Sequence, residues 1–147
     1  MDKDLVIGID SSTTATKAIA WDRAGRHVAE GRCGIAMRNP APLYYEQDPV
    51  DWWRSLCTAL GELGGESDMS RVAALAIANQ RETIVPLDRA GGALRPAMLW
   101  LDERGREDVR LLTKKIGRER LLEITGKTPD PTPSVYAIHW MMRNEPK

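Results

Sequence analysis

The stretch VIGIDSSTTATKAIAW, residues 6–21, decides the fold, because an apolar run stops at a single acid and a second apolar run follows a polar bend. The two runs predict strands over Leu5–Ile9 and Lys17–Asp22, joined by a tight turn. The acid is Asp10, and the lone cation after the bend is Lys17. The hydroxyl side chains around the bend are Ser11, Ser12, Thr13, Thr14 and Thr16. The bend therefore needs a chemical explanation as well as a structural one.

A third strand and a helix follow the opening hairpin. The turn DRAG, residues 22–25, leads to a predicted strand over Val28–Met37, so three strands form an antiparallel meander. Asp48 predicts a helix N-cap with Pro49 at the first helical position, and Gly64-Gly65 predicts the end of that helix. The stripe that we expect to face the core consists of Trp52, Trp53, Leu56, Cys57, Leu60 and Leu63.

The second half of the chain alternates a strand, a hairpin and helices. The apolar run Val72–Gln80 has the length of a central strand buried on both faces. TIVPLDRAGGAL, residues 83–94, predicts a hairpin. Helices are predicted over Glu103–Ile116 and Arg118–Ile124, and a last helix has Ser134 as its N-cap. This order predicts an α/β fold, with a mixed sheet and helices packed on it.

The composition of the chain argues against several classes of protein. The 147 residues suit one domain, and 21 basic side chains balance 21 acidic ones, so no net field favours nucleic acid or an anionic membrane. Cys33 and Cys57 are too few for a disulfide framework. The N-terminus has no apolar signal core, and no apolar run has membrane-spanning length. We therefore expect a cytoplasmic protein with no membrane or nucleic-acid partner.

The polar bend has the composition of an anion site. Hydroxyls and backbone N–H groups can donate to phosphate oxygens, and Lys17 can neutralise their charge. Asp10 would repel a phosphate directly, but it can hold a divalent cation that bridges to one. The bend is not a Walker loop, because G-x-x-x-x-G-K-[ST] is absent from the sequence. A Ser/Thr-rich hairpin with a solvated aspartate explains the same residues equally well.

A second polar stretch, ANQRET at residues 78–83, closes the predicted central strand. Ligands of open α/β sheets bind at the carboxyl ends of strands. The guanidinium of Arg81 can donate to the hydroxyls of a polyol, and the carboxylate of Glu82 can accept from them. A surface ion pair at a strand end is an equally good explanation.

A third candidate stretch is LWLDERGRED, residues 99–108. Trp100 offers a flat apolar face that suits the C–H face of a sugar, and Asp102 could accept from sugar hydroxyls. A core tryptophan followed by a helix N-cap acid is the simpler explanation of this stretch alone.

Five motifs occur in this order: GIDSSTTATKA, YYEQDPVDWW, IANQRETIVPLD, MLWLDERGRE and ITGKTPDPTPS. Their order resembles the start of FGGY-type carbohydrate kinases, which include xylulokinases and glycerol kinases, from Val6 to about Arg143. The resemblance implies a ribonuclease-H-like fold of the actin and hexokinase type. It also implies transfer of the γ-phosphate of ATP, with Mg²⁺, to a hydroxyl of a ketose or polyol. A homodimer of the full-length protein is compatible with it.

The resemblance also implies residue roles. Asp10 matches the acid near the magnesium and phosphates, and is the expected catalytic and metal-binding residue. The positions that match the phosphate site are Ser12, Thr13, Thr14 and Lys17. The positions that match the sugar site are Gln80, Arg81, Glu82, Trp100 and Asp102.

Three positions depart from the family pattern. Ser12 stands where glycine is usual, and Thr132 stands where glycerol kinases carry a tyrosine. Asp102 replaces an uncharged residue of glycerol kinases, whereas xylulokinases carry an acid there, so the substrate is expected to be larger or more polar than glycerol.

The family members are much longer than this chain. The resemblance therefore implies that residues 1–147 are the N-terminal domain of a kinase, without its C-terminal ATP-binding domain and inactive alone. Two alternatives stay open. One is a non-catalytic sugar-binding or regulatory module of the same fold. The other is an acyl- or acetate-type kinase, or a chaperone-like ATPase, that shares only the phosphate bend, although the NQRET strand end argues against it.

Overall fold

A computed structural model of the protein describes residues 3–146. The strands are β1 (Leu5–Ser11), β2 (Ala15–Asp22), β3 (His27–Gly34), β4 (Glu46–Gln47), β5 (Val72–Asn79) and β6 (Ala97–Met98). The α-helices are α1 (Pro49–Glu66), α2 (Arg106–Ile116), α3 (Arg118–Thr125) and α4 (Ser134–Asn144). A short 3₁₀ turn, Met69–Arg71, precedes β5. None of the described helices is both long enough and apolar enough to cross a bilayer.

The chain forms two compact units. The first contains the chain up to Met37 together with Gln47–Gln80, and the second contains Arg38–Glu46 together with the chain from Arg81 onward. The larger sheet has the strand order β3-β2-β1-β5, and a two-stranded sheet joins β4 and β6. The pairs β1/β2 and β2/β3 are antiparallel, whereas β1/β5 is parallel, so the predicted meander and the predicted mixed sheet are both confirmed.

In the first unit, α1 packs on one face of the sheet, mainly over β2 and β3. The buried core is built from Ile7, Ile9, Ala18, Ala20, Ala29, Ala59 and Leu63. The small side chains let the helix approach closely, since a Cβ added to Gly31 would lie 1.9 Å from the backbone oxygen of Ala59. The predicted start of α1 is confirmed, because the Asp48 side chain accepts from the backbone N of Val50 at 3.0 Å.

Two details of α1 differ from the sequence prediction. The helix continues through Gly64-Gly65 to Glu66 despite the low helix propensity of glycine, directly after the buried Leu63. The predicted core stripe was wrong in part: α1 buries Ser55, Ala59 and Leu63, whereas Trp53 is 67% exposed. The sheet beneath is lined by alanine and glycine, so the close approach favours small helix residues over the aromatic ones.

The prediction that Val72–Gln80 is a central strand buried on both faces was wrong. β5 is an edge strand of the sheet, and its residues from Ala73 to Asn79 are exposed. Leu75 and Ile77 pair with the core residues Ile7 and Ile9, so they project from the same face of the sheet as the core, but they are about half exposed. Composition indicated the need for burial, but within the described residues no element covers these side chains.

The second unit holds α2, α3, α4 and the predicted hairpin, which is confirmed by the bridge between Leu87 and Ala93. The helix predicted from Glu103 begins at Arg106. Ser134 was predicted as the N-cap of α4, but it is the first helical residue and Pro133 is the N-cap. Asp108 is fully buried and joins α2 to α4, because it accepts from His139 Nδ1 at 2.5 Å and from Arg143 Nε at 2.8 Å.

Candidate functional site

The first candidate site lies at the bend between β1 and β2. Asp10 and Lys17 are directly opposite each other in the antiparallel register, so both side chains project from the sheet face opposite α1. They border a shallow groove of about 440 Å³ whose floor includes Ile19, Trp21 and Ala76–Ala78. The sequence prediction that an acid and a cation share this bend is matched by their position.

Asp10 and Lys17 differ in their partners. Asp10 is exposed, and among the described residues no hydrogen bond or ion pair engages its carboxylate. Lys17 Nζ lies 3.0 Å from Glu30 Oε2, and both side chains are about 40% exposed. The hydrogen bond from Lys17 is the main cause that lowers the pKa of Glu30. Because an exposed ion pair is weak, an anionic ligand could compete with Glu30 for Lys17.

The three residues of the bend use their polar groups differently. The backbone N and Oγ of Ser12 both donate to the carbonyl oxygen of Ala15 at 2.9 Å, which closes the turn. Thr13 Oγ1 donates to Gln80 Oε1 at 3.2 Å. Thr14 is exposed, and no side-chain hydrogen bond holds its hydroxyl within residues 3–146. Of the predicted hydroxyl donors, Thr14 is thus the one that points to solvent without a protein partner.

Behind the bend lies a cluster of side-chain amides that the sequence did not single out. Gln47 is fully buried and donates from Nε2 to the carbonyl oxygen of Thr13 at 2.6 Å. Its Oε1 accepts from Trp52 Nε1 at 2.9 Å and from Gln80 Nε2 at 3.3 Å. Gln80 was predicted to bind substrate, but these hydrogen bonds of its side chain go to the bend and to Gln47. The glutamine within EQDP was the only sequence signal for this cluster.

The bend can accommodate a divalent cation in one way. The described residues contain no group of three or more His, Cys, Asp or Glu side chains close enough to form an all-protein metal cage. Mg²⁺ is usually held by one or two carboxylates, substrate phosphates and water. Asp10, exposed beside the bend, can supply such a carboxylate, so the residues fit a metal that arrives with its phosphates.

The second candidate site is a cleft of about 330 Å³ in the second unit, lined by Arg81, Glu82, Trp100 and Thr132. Three predicted sugar-site residues therefore lie together, and the family departure at Thr132 lies with them. Trp100 is 43% exposed, and its backbone N donates to Thr83 Oγ1 at 3.1 Å. The guanidinium of Arg81 is exposed, and no protein partner holds it in the described part of the chain.

Glu82 is held in one orientation by three donors. Its Oε2 accepts from the backbone N and the Oγ of Ser134, both at 3.0 Å, and its Oε1 accepts from Lys127 Nζ at 3.1 Å. Glu82 thereby caps the N-terminus of α4, which Pro133 cannot cap with a side chain. The backbone hydrogen bond from Ser134 is the largest cause that lowers the pKa of Glu82 below its usual value. Glu82 also has a positive φ of 61°, a conformation that non-glycine residues rarely adopt.

Asp102 is not placed as the sequence predicted. Its side chain is 2% exposed, and it forms an ion pair with Arg104 at 2.7 Å. Its two oxygens together accept four hydrogen bonds, from the backbone N of Tyr45 and from the backbone N, Nε and Nη2 of Arg104. A carboxylate has about four acceptor positions, so none remains for a sugar hydroxyl. The structure therefore corrects the prediction that Asp102 contacts substrate.

Asp102 belongs to a charge network in the second unit in which Glu46, Asp102 and Arg104 are buried and Arg95 is partly buried and also pairs with Glu145. Arg104 also donates to Glu46 at 2.8 Å, and Arg95 forms an ion pair with the same glutamate. The Arg104 guanidinium lies 3.9 Å from the centre of the Tyr44 ring. The sequence showed these as separated single charges, so it gave no indication that they pair.

The antiparallel meander extended by a parallel strand defines an α/β domain of the ribonuclease-H-like type. Comparison with known proteins supports this class. The sequence profile of the FGGY family of carbohydrate kinases, N-terminal domain, matches residues 5–147. A xylulose kinase from Rhodospirillum rubrum has a TM-score of 0.92 at 28% identity, over 97% of this chain and 30% of that one. The chain belongs to the FGGY family of carbohydrate kinases.

The sequence relatives fall into two functional groups. A xylulose kinase from Klebsiella pneumoniae is 36% identical over 141 residues, which cover 96% of this chain and 29% of the relative. A glycerol kinase from Gluconobacter oxydans is 37% identical over 150 residues, which cover 98% of this chain and 28% of the relative. The chain thus spans less than a third of the length of these relatives. The predicted family and the ribonuclease-H-like fold are confirmed.

Proposed function

We propose that this domain works as the N-terminal part of a longer ATP-dependent kinase that phosphorylates a hydroxyl of a ketose or polyol. The observation that carries the proposal is the cleft lined by Arg81, Glu82 and Trp100, in a chain of the FGGY carbohydrate kinase family. A guanidinium, a carboxylate and a flat indole face together match the donors, acceptors and C–H face of a polyhydroxylated chain.

The proposed role of the β1–β2 bend is to receive the phosphates. Asp10 would hold Mg²⁺, which when bound would neutralise and orient the phosphate oxygens. Thr14 would donate its free hydroxyl to a phosphate oxygen, and Lys17 would exchange Glu30 for a phosphate. The contribution of these residues is positioning and charge neutralisation, which dominate catalysis of phosphoryl transfer.

The hydrogen bonds of Glu82 limit what the sugar site can recognise. Two donors on Oε2 occupy both of its acceptor positions, whereas Lys127 leaves one position on Oε1. Glu82 can therefore accept from one substrate hydroxyl without losing an existing bond. Arg81 can donate to two neighbouring hydroxyl oxygens, so the cleft suits an acceptor with at least three hydroxyls.

A second candidate function is a sugar-binding module without catalysis. Its specific support is Ser12, whose backbone N and hydroxyl are both used within the turn. A phosphate that needed the Ser12 N–H would have to open this turn.

The test separates the two functions. The reading frame beyond residue 147 would be determined, and the complete polypeptide would be assayed for ADP release with a panel of ketoses and polyols. A kinase releases ADP only when an acceptor is present, and the Asp10→Asn variant abolishes that release. Tight sugar binding without acceptor-dependent ADP release would instead identify the non-catalytic module.

A further inference from the structure

We propose that Gln47 is a positioning residue for phosphate transfer, which fixes the backbone of Thr13 directly and the hydroxyl of Thr13 through Gln80. The proposal rests on the kinase function proposed above. Gln47 has no direct access to a ligand, because it is fully buried. Its effect on phosphates would be transmitted through the bend.

The orientation of the Gln47 amide is determined by Trp52. An indole N–H can only donate a hydrogen bond, so the group that faces Trp52 Nε1 at 2.9 Å must be the amide oxygen. The amide nitrogen consequently faces the carbonyl oxygen of Thr13, which can only accept, at 2.6 Å. Both contacts favour the same orientation, and a flipped amide would place like groups against each other at both ends.

Gln80 completes a closed circuit of hydrogen bonds that joins Thr13, Gln47 and Gln80. Its nitrogen donates to Gln47 Oε1 at 3.3 Å, and its oxygen accepts from Thr13 Oγ1 at 3.2 Å. Thr13, the middle residue of the bend, is therefore held at its carbonyl and at its hydroxyl by two linked amides. A buried polar group without a partner is costly, so the circuit resists the loss of any one bond.

This circuit fixes the conformation of the bend before a ligand binds. A bend fixed in its bound geometry avoids the entropic cost of ordering on binding, and small displacements of positioning groups reduce catalysis strongly. The neighbouring Thr14, with its free hydroxyl, follows directly from the restrained Thr13 backbone. If the circuit only filled the core, its loss would lower stability without favouring one substrate over the other.

Two variants remove parts of the circuit, and the first of them also keeps the volume of the side chain. Gln47→Glu loses the donor to the Thr13 carbonyl and replaces it with an oxygen. Trp52→Phe removes the indole N–H that orients the amide. The matched control is Trp53→Phe, because Trp53 is the next residue on α1 and is 67% exposed.

Steady-state kinetics on the complete kinase polypeptide provide the first measurement. For Gln47→Glu we expect kcat to fall at least about tenfold and KM for MgATP to rise, with KM for the sugar changed less than about twofold. For Trp52→Phe we expect a change of about threefold to tenfold in the same direction, the order of one hydrogen bond. Trp53→Phe should stay within about twofold of wild type.

Hydrogen exchange provides a measurement that does not depend on activity. In the chain of residues 1–147, Gln47→Glu should accelerate exchange of the Ser12 amide, which donates to the Ala15 carbonyl oxygen, at least about tenfold, with exchange in the rest of β2 and in β3 unchanged. Equal changes in KM for both substrates, or equal effects of Trp52→Phe and Trp53→Phe, would overturn the positioning role. If the wild type transfers phosphate to no acceptor, the kinase function is refuted, and unchanged exchange in Gln47→Glu would then refute the circuit independently.

Discussion

Gly31 in β3 is the residue at which a single methyl group should have the largest effect on the first unit. A Cβ at this position would lie 1.9 Å from the Ala59 backbone oxygen and 2.9 Å from the Leu63 backbone N. Neither atom can move by a side-chain rotation, so Gly31→Ala must push α1 away from the sheet. Overpacking of a core costs about 1–3 kcal/mol, and a clash with a helix backbone belongs at the upper end, about 3 kcal/mol.

Gly8→Ala is the matched control, because Gly8 lies in β1 and a Cβ there would meet nothing within 4 Å. Replacing that glycine should be neutral or stabilise the fold by about 0.4–1 kcal/mol, through the lower entropy of the unfolded chain. The two variants should therefore differ by roughly 3–4 kcal/mol. With a urea m-value of about 1.5–2 kcal/mol per M, the unfolding midpoints should differ by about 2 M.

The assay is urea unfolding of the chain followed by far-UV circular dichroism, with hydrogen exchange of the β1–β3 amides as the probe of the first unit. In Gly31→Ala we also expect faster exchange in α1, since the helix is displaced as a whole. A midpoint for Gly31→Ala equal to or above that of Gly8→Ala would refute the close packing of α1 on β3.

Three further predictions concern the two sites and the second unit. Asp10→Asn in the complete kinase should lower kcat by at least about a hundredfold and leave KM for sugar nearly unchanged, whereas turnover near wild type at saturating magnesium would refute the role of Asp10. Glu82→Gln should raise KM for sugar by about tenfold to a hundredfold, corresponding to roughly 1–3 kcal/mol for a charged hydrogen bond, and a fall in ATP affinity instead would reverse the assignment of the sites. Burial raises the pKa of Asp108, but hydrogen bonds from Arg143 and His139 outweigh burial and lower it overall below 3.8. The stability that Asp108 contributes is therefore complete above pH of about 4 and is lost as the pH falls through its folded-state pKa. The free energy of unfolding, measured by urea unfolding at a series of acidic pH values, should therefore depend less on pH in Asp108→Asn than in wild type.

The opening hairpin could be predicted from the sequence because it depends on local features. Two apolar runs, a short polar bend and turn residues each act within a few positions, and the structure pairs the two strands as predicted, with Asp10 opposite Lys17. The N-cap at Asp48 is local for the same reason. The sequence motifs also indicated the family, which the comparisons confirmed.

The contacts within each unit could not be predicted, because they join residues far apart in sequence. Gln47 and Thr13 are 34 positions apart, and Asp102 and Tyr45 are 57 apart. No periodic pattern in the sequence marks a single glutamine as buried. The aspartate in WLDERG is as consistent with a helix N-cap as with a buried ion pair. The exposed position of β5 was missed because apolar composition indicates that a strand requires cover, and not which element provides it.

The four charges Glu46, Arg95, Asp102 and Arg104 constrain how this chain can vary during evolution. The side chains of Asp102 and Arg104 are only 2% exposed, whereas Arg95 also pairs with the more exposed Glu145, so loss of Asp102 or Arg104 leaves a buried charge without this partner at a cost of about 3–5 kcal/mol. That cost is a large fraction of the total stability of a typical domain, so sequences with a single replacement should be selected against. Among homologous sequences we therefore expect Asp102 and Arg104 to covary, with both charges retained or both replaced by apolar residues.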